Sequence, residues 1–157
     1  MSLAETGTDA DAKVVRTAAL SLLARREHSR MELARKLEVK GYAAVVVGQV
    51  LSSLEGDGYL SDARFAEAYV RVRSERGYGP MRIRAELRER GVADAIIAAS
   101  LAPYQDAWLT QLERIRAKRF GRAGDFAERA RQTRFFQARG FTMEQISAVL
   151  AGGKTRA

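Results

Sequence analysis

Three segments of the chain share one pattern of apolar and polar positions. Gly41 opens GYAAVVVGQVL, Gly91 opens GVADAIIAASL and Gly140 opens GFTMEQISAVL, and each segment closes on a leucine ten positions after its glycine. Val47, Ile97 and Ile146 hold the sixth position, and Leu37, Leu87 and Phe136 stand four positions before the three glycines. The glycines recur about every fifty residues, the period of a stacked helical repeat rather than of a single core. Ahead of each glycine the apolar positions are three and four apart, the spacing of an amphipathic helix. Phe65, Tyr69 and Val72 mark one such face, and Trp108, Leu112 and Ile115 another.

Capping signals divide each repeat further. Ser29 to Glu32 (SRME) is a capping box that opens a helix ending at Gly41. Pro80 in GYGP suits a first helical position, and Gly91 closes that helix. Thr142 to Gln145 (TMEQ) is a second capping box, opening the helix after Gly140. Gly48 lies inside a helical stretch and should weaken that turn. No alternating strand pattern or hairpin signal appears, so the expected fold is all-α: three tandem three-helix, helix-turn-helix-like repeats in an elongated, curved array. The expected boundaries are a flexible tail over 1–12, repeats over 13–60, 61–102 and 103–151, and a tail over 152–157.

Composition narrows the chemistry. The 157 residues are 46% hydrophobic, enough to bury a core, and include no cysteine, which fits a reducing, cytoplasmic setting. No stretch is long and apolar enough to cross a membrane, and the opening MSLAETGTDADA is polar rather than signal-like. His28, the sole histidine, leaves no two-histidine metal site and no spare base, and it reads as a surface or cap residue. The GGKT at Gly152 to Thr155 resembles the end of a phosphate-binding loop, but Ala148 stands where that loop needs glycine and a helix precedes it. Glu86 and Glu89 lie among arginines, where salt bridging is the simpler reading. No catalytic residue, cofactor or metal is expected, and the chain does not read as an enzyme.

Charge is the stronger signal. Of a formal net charge of +8, residues 102–157 carry most, with 11 Lys and Arg against 5 Asp and Glu, and such a field attracts polyanions. The last helix of each repeat has no Lys or Arg across 43–57, 92–102 and 141–151, so none resembles a recognition helix that reads base edges. These helices are expected to hold the array together. The cations sit on the first two helices of each repeat. Arg82, Glu86 and Arg90 can form a ladder, Arg129 can pair with Asp125, and Arg131 with Glu128. Arg84 and Arg88 have no such partner, Arg114, Lys118 and Arg122 share one face without an acid, and Arg134 and Arg139 are left over. With Arg71, Arg76 and Arg119 they form the candidate surface for an acidic protein face or a nucleic-acid backbone.

The runs DGYLSDARFAEAYVRVR, GYGPMRIRAELRERG and RQTRFFQARGF resemble the RecX regulatory proteins of bacteria. The resemblance spans roughly Ala18 to Leu150. It rests on Tyr59, Leu60 and Asp62 before Phe65, on the spacing of Ile83, Leu87 and Gly91, and on Gly41, Gly140 and Phe141. It implies a curved monomer that lodges in the groove of the RecA filament on DNA and suppresses ATP hydrolysis, strand exchange and co-protease activity. Contacts with single- and double-stranded DNA would be weaker and salt-sensitive. The alternative is a protein that binds DNA directly and competes for it. Its stacking platforms would need exposed rings, whereas Phe65, Tyr69, Trp108, Phe120, Phe135 and Phe136 sit mostly at core spacings and Tyr78 alone is expected outside.

Overall fold

Capping chemistry sets the helix starts. Ser29 caps α2 (Arg30–Val39): its hydroxyl accepts the Glu32 N–H at 3.1 Å, and the Glu32 carboxylate accepts the Ser29 N–H at 3.5 Å. Pro80 opens α5 (Pro80–Glu89), where its missing N–H leaves nothing unpaired. Thr142 and Gln145 form the reciprocal pair at 3.1 and 2.9 Å before α9 (Met143–Gly152). The remaining helices are α1 (Leu3–Arg25), α3 (Ala44–Gly56), α4 (Asp62–Glu75), α6 (Asp94–Leu101), α7 (Ala107–Arg119) and α8 (Phe126–Arg139), with a 3-10 turn at Ala102–Tyr104. This computed structural model describes residues 3–121 and 124–152, with side chains from 10 to 121 and from 124 to 151, and holds helices and no strand among them.

Two features differ from the sequence reading. Of the segment 1–12, read as a flexible tail, the residues from Leu3 onward belong to α1, and among the residues with described side chains Val15 and Ala19 are the first to be buried. His28, read as a surface or cap residue, is 1% exposed. Its Nδ1–H donates to the Arg26 carbonyl at 3.0 Å, so Nε2 accepts from the Lys36 ammonium at 2.9 Å. A histidine beside a cap ordinarily faces water. Here both ring nitrogens have partners, which is what makes burial of a neutral imidazole tolerable.

The cation-free helices do the internal packing. α3 lies on α1, α6 on α4 and α9 on α7, burying Val46, Val47, Val50, Leu51 and Leu54, then Ile97 and Leu101, then Ile146 and Val149. The first repeat has a core of its own around Leu33, Leu37, Leu51 and Leu60. The second and third repeats share one continuous core that includes Phe65, Ile83, Leu87, Trp108, Leu112, Phe136 and Phe141. An edge-to-face aromatic run from Phe120 through Phe135 and Phe136 to Phe141 stiffens its third-repeat side.

The repeats meet end to end through their middle helices. Between the second and third, the Gly79 N–H donates to the Arg139 carbonyl at 2.7 Å and the Met81 N–H to the Gly140 carbonyl at 2.9 Å. A Cβ on Gly79 would stand 2.5 Å from the Gly140 carbonyl carbon, so main chain touches main chain here. Between the first and second repeats the joint is polar. Ser29 Oγ donates to the Arg90 carbonyl at 2.7 Å, the Arg30 N–H donates to Asp62 at 2.8 Å, and Arg64 pairs with Glu27 at 3.0 Å. Asp62 thus completes the cap of a helix in the preceding repeat.

Gly79 has φ −93, which alanine adopts freely, so Gly79→Ala tests the close approach alone. Urea unfolding followed by circular dichroism should show a loss of about 2–3 kcal/mol. Gly48 has open space at its Cβ position within α3, and Gly48→Ala should instead gain about 0.5–1 kcal/mol. His28 ties stability to pH. Burial lowers its pKa below the ordinary 6.5, and the nearby Arg26 and Lys36 charges act in the same direction against the Arg26 carbonyl and Glu32. The unfolded chain therefore takes up this proton first as pH falls. The stability His28 contributes is complete above 6.5 and is lost as pH drops through the folded pKa. Denaturation midpoints between about pH 7.5 and about pH 5 should fall more steeply for the native chain than for His28→Gln.

Candidate interaction surface

The joint between the second and third repeats forms one wall of a basic groove. Arg76 caps the end of α4 and Gly77 follows it, α7 crosses beside them, and the last turn of α8 brings in Arg139. A groove of about 470 Å³ lies between them, lined by Arg76, Arg114, Lys118, Arg119 and Arg139, with Glu75 as its lone acid. Arg114 and Lys118 are one turn apart on α7, and Ile115 between them forms the floor, 3.3 Å from where a Cβ of Gly77 would stand. The Gln111 side-chain amide donates to the Ser74 carbonyl and ties α7 to the end of α4. Among the described residues none of the five cations lies within ion-pair distance of a carboxylate. An unneutralised set gathered at one concave site concentrates positive potential and suits an anionic partner.

Cations that are neutralised lie elsewhere. The Glu86 carboxylate accepts two hydrogen bonds from Arg73, at 3.0 and 2.8 Å, and sits 3.9 Å from Arg82. Burial opposes the charge on Arg73, but the hydrogen bonds and charge of Glu86 outweigh it and hold the guanidinium above its ordinary pKa. The expected ladder is thus rearranged: Arg73 is the main partner of Glu86, and Arg90 donates to the Glu86 carbonyl at 2.9 Å. Arg88 is not unpartnered as the sequence suggests, because the turn at Gly91 brings Asp94 back to 2.8 Å from it. Arg131 meets Glu128 at 3.4 Å as expected, whereas Asp125 accepts the Glu128 N–H as the α8 cap, with no pairing to Arg129 within range.

Of the remaining candidate residues, Arg71 and Arg134 are exposed and lie outside the groove. Arg84 is half-buried and lines a different groove, with Met81, Trp108 and Leu109. Arg122 and the GGKT positions from Gly153 onward lie outside the described residues. The motif residues Leu60, Phe65, Ile83, Leu87 and Phe141 are core, while Tyr59 is 54% exposed.

Tyr78 is not the outside ring that its loop suggests. It is half-buried beside the groove, with the guanidinium carbons of Arg73, Arg82 and Arg139 at 3.8, 4.5 and 5.0 Å from the ring centroid. One ring therefore gathers three like charges from three helices, each contact worth about 0.5–1 kcal/mol where exposed. Helical periodicity leaves this residue out, because Tyr78 belongs to the loop between α4 and α5. The sign that marks it is an aromatic between two glycines, flanked by arginine-rich helices on both sides.

Three family descriptions match in order along the chain: "RecX, first three-helix domain" over residues 16–54, the second three-helix domain over 61–101, and the third over 106–150. The chain is 48% identical to a Regulatory protein RecX of Halorhodospira halophila over 95% of its own length and 92% of that protein's. It is 44% identical to the Regulatory protein RecX of Pseudomonas entomophila, covering 88% and 90% of the two chains. Among solved structures, RecX from Lactobacillus salivarius superposes with a TM-score of 0.82 at 21% identity, over 92% of this chain and 97% of that one, a likeness of fold.

Tyr78→Phe should leave stability near that of the native chain, since the ring face and not the hydroxyl holds the arginines. Tyr78→Ala should cost about 2 kcal/mol in urea unfolding and release Arg139 from its place at the groove. If both substitutions behaved alike, the ring would not be what gathers these charges.

Proposed function

Since the chain belongs to the RecX family, we propose that it is a non-enzymatic regulator of the RecA recombinase that binds the RecA–DNA filament through the groove at Arg76, Arg114, Lys118, Arg119 and Arg139. The observation that carries this reading is the convergence of these cations from three helices on one concave site with no described acid pairing them. Seating on the filament would suppress ATP turnover, strand exchange and co-protease activity in the cytoplasm, as the family resemblance implies. Arg71, Arg84, Arg88 and Arg134 lie away from the groove and would add long-range attraction rather than contact.

Direct DNA binding is the competing reading. A phosphate backbone would suit the same groove, but base stacking finds little there: the Tyr78 ring is occupied by arginines, and the exposed rings of Tyr59 and Phe126 lie elsewhere. The two readings separate in the single-strand-dependent ATPase of RecA, titrated with this protein while DNA is in large excess. Suppression at amounts far below the DNA is expected if the target is the filament. Suppression that vanishes as DNA is added would assign the effect to sequestration, with log K falling by about 0.7–0.9 per neutralised phosphate in log salt. Arg114→Glu with Lys118→Glu should raise the half-inhibitory concentration by about tenfold or more, and Arg88→Glu should change it little.

A further inference from the structure

A second groove runs into the first. It has a volume of about 380 Å³ and lies across the joint between the first and second repeats, with Arg26, Glu27 and Glu32 on one side and α4 and Arg90 on the other. Arg76 lines both grooves, so they meet at the end of α4. Arg73 belongs to the second groove and reaches over the Tyr78 ring, which also holds Arg139 of the first. The two grooves therefore form one track that touches all three repeats.

The chemistry changes along this track. The first groove presents cations that no described carboxylate pairs, whereas the charges of the second are already matched. Arg26 pairs with Glu32 at 2.9 Å, Arg73 with Glu86 at 2.8 Å, and Glu27 with Arg64 at 3.0 Å. Arg90 is engaged by the Glu86 carbonyl and lies over the Tyr69 ring. What the second groove leaves open is apolar. Phe65, Ala68, Tyr69 and Val72 share one face of α4, and Val72 is still 40% exposed. An occupant of the whole track must be anionic at one end and apolar at the other.

Resting on the reading of the first groove as the filament contact, we infer that the track takes an extended acidic segment of the partner protein. Its carboxylates meet Arg114, Lys118 and Arg139, and an apolar side chain beside them seats on Ala68 and Val72. The charge pattern favours a peptide over a nucleic-acid strand. A phosphate backbone following the cations past Arg76 would next meet Glu27, Glu32 and an apolar floor. Bases would find no platform there, since Phe65 is 4% exposed and Tyr69 has the Arg90 guanidinium 4.9 Å from its ring centroid. A peptide can follow acids with an apolar residue, whereas every nucleotide brings its phosphate. Such a segment touches the first and second repeats at once and so fixes the angle between them.

The chain has no cysteine, so Val72→Cys carries a benzophenone maleimide at a single place. Irradiated on RecA filaments, the label should join to RecA, and mass spectrometry should find it on a peptide with an apolar residue beside carboxylates. In the full chain, Val72→Asp should raise the half-inhibitory concentration in the RecA ATPase by about tenfold and leave binding to free oligothymidylate unchanged. Val72 is partly in solvent, and unchanged circular dichroism confirms that the variants are folded. A label that joins to DNA, to a RecA peptide without acids or to nothing would overturn the inference. So would a Val72→Asp chain that loses oligothymidylate binding along with inhibition, which would put nucleic acid in the second groove. If Val72→Asp inhibits like the native chain while Arg114→Glu with Lys118→Glu does not, the inference fails and the filament reading stands. If neither variant changes inhibition, the first groove is not the contact and both fall.

Discussion

The contact on which the rest depends is the main-chain meeting of α5 with the end of α8. Helices usually keep their axes 8–10 Å apart because side chains stand between them. At Gly79 and Gly140 there are none, and main-chain groups of two repeats bond directly. That contact fixes the loop Gly77–Gly79 against the third repeat, and the groove follows from it. Gly77 meets Ile115 on the groove floor, and Arg139 belongs at once to the joint and to the groove wall. A looser joint would leave Arg76 and Arg139 on separate bodies.

The distribution of acids explains where the positive potential appears. Glu86 neutralises Arg73 and approaches Arg82, Asp94 takes Arg88, and Glu27, Glu55 and Asp57 take arginines of the first repeat and its border. Carboxylates are therefore concentrated in the first two repeats and at their polar joint. α7 has the single acid Glu113 against Arg114, Arg116, Lys118 and Arg119, and Arg116 turns inward to donate to the Val149 carbonyl at 3.1 Å. The groove cations outnumber the acids near them, Glu75 in the lining makes no ion pair with them, and the aromatic faces of Tyr78 and Phe135 hold Arg139 and Arg119.

Local signals in the sequence carried the architecture well. The capping boxes at Ser29 and Thr142, Pro80 at a first turn and the left-handed glycines all depend on residues within a few positions of each other, so a linear reading reaches them. The same logic found the cations of the groove one by one, but not their convergence. Arg76, Arg114 and Arg139 come together through the Gly79–Gly140 contact, which spans 61 positions, and the Gln111 tie to Ser74, neither of which has a periodic signature. Local pairing rules also misjudged Arg88 and the Glu86 ladder, because the deciding partners come from a turn and from another helix. His28 was misread for a related reason: its second ring nitrogen is satisfied by Lys36, eight positions on and inside α2.

The contrast between the two joints bears on how the array could bend. The second and third repeats share one core and a main-chain contact, so a change of angle between them would open apolar surface and break buried hydrogen bonds together. The first repeat keeps its own core and meets the second through buried Ser29, through Asp62 and through the half-exposed Arg64–Glu27 pair, so a change of angle there opens no shared core. Motion is therefore cheapest at the polar joint. A rigid pair of repeats would present the groove as a preformed site, and the first repeat would be the part that adjusts to the partner's contour. An adjustable neighbour lets one chain fit a surface whose curvature changes.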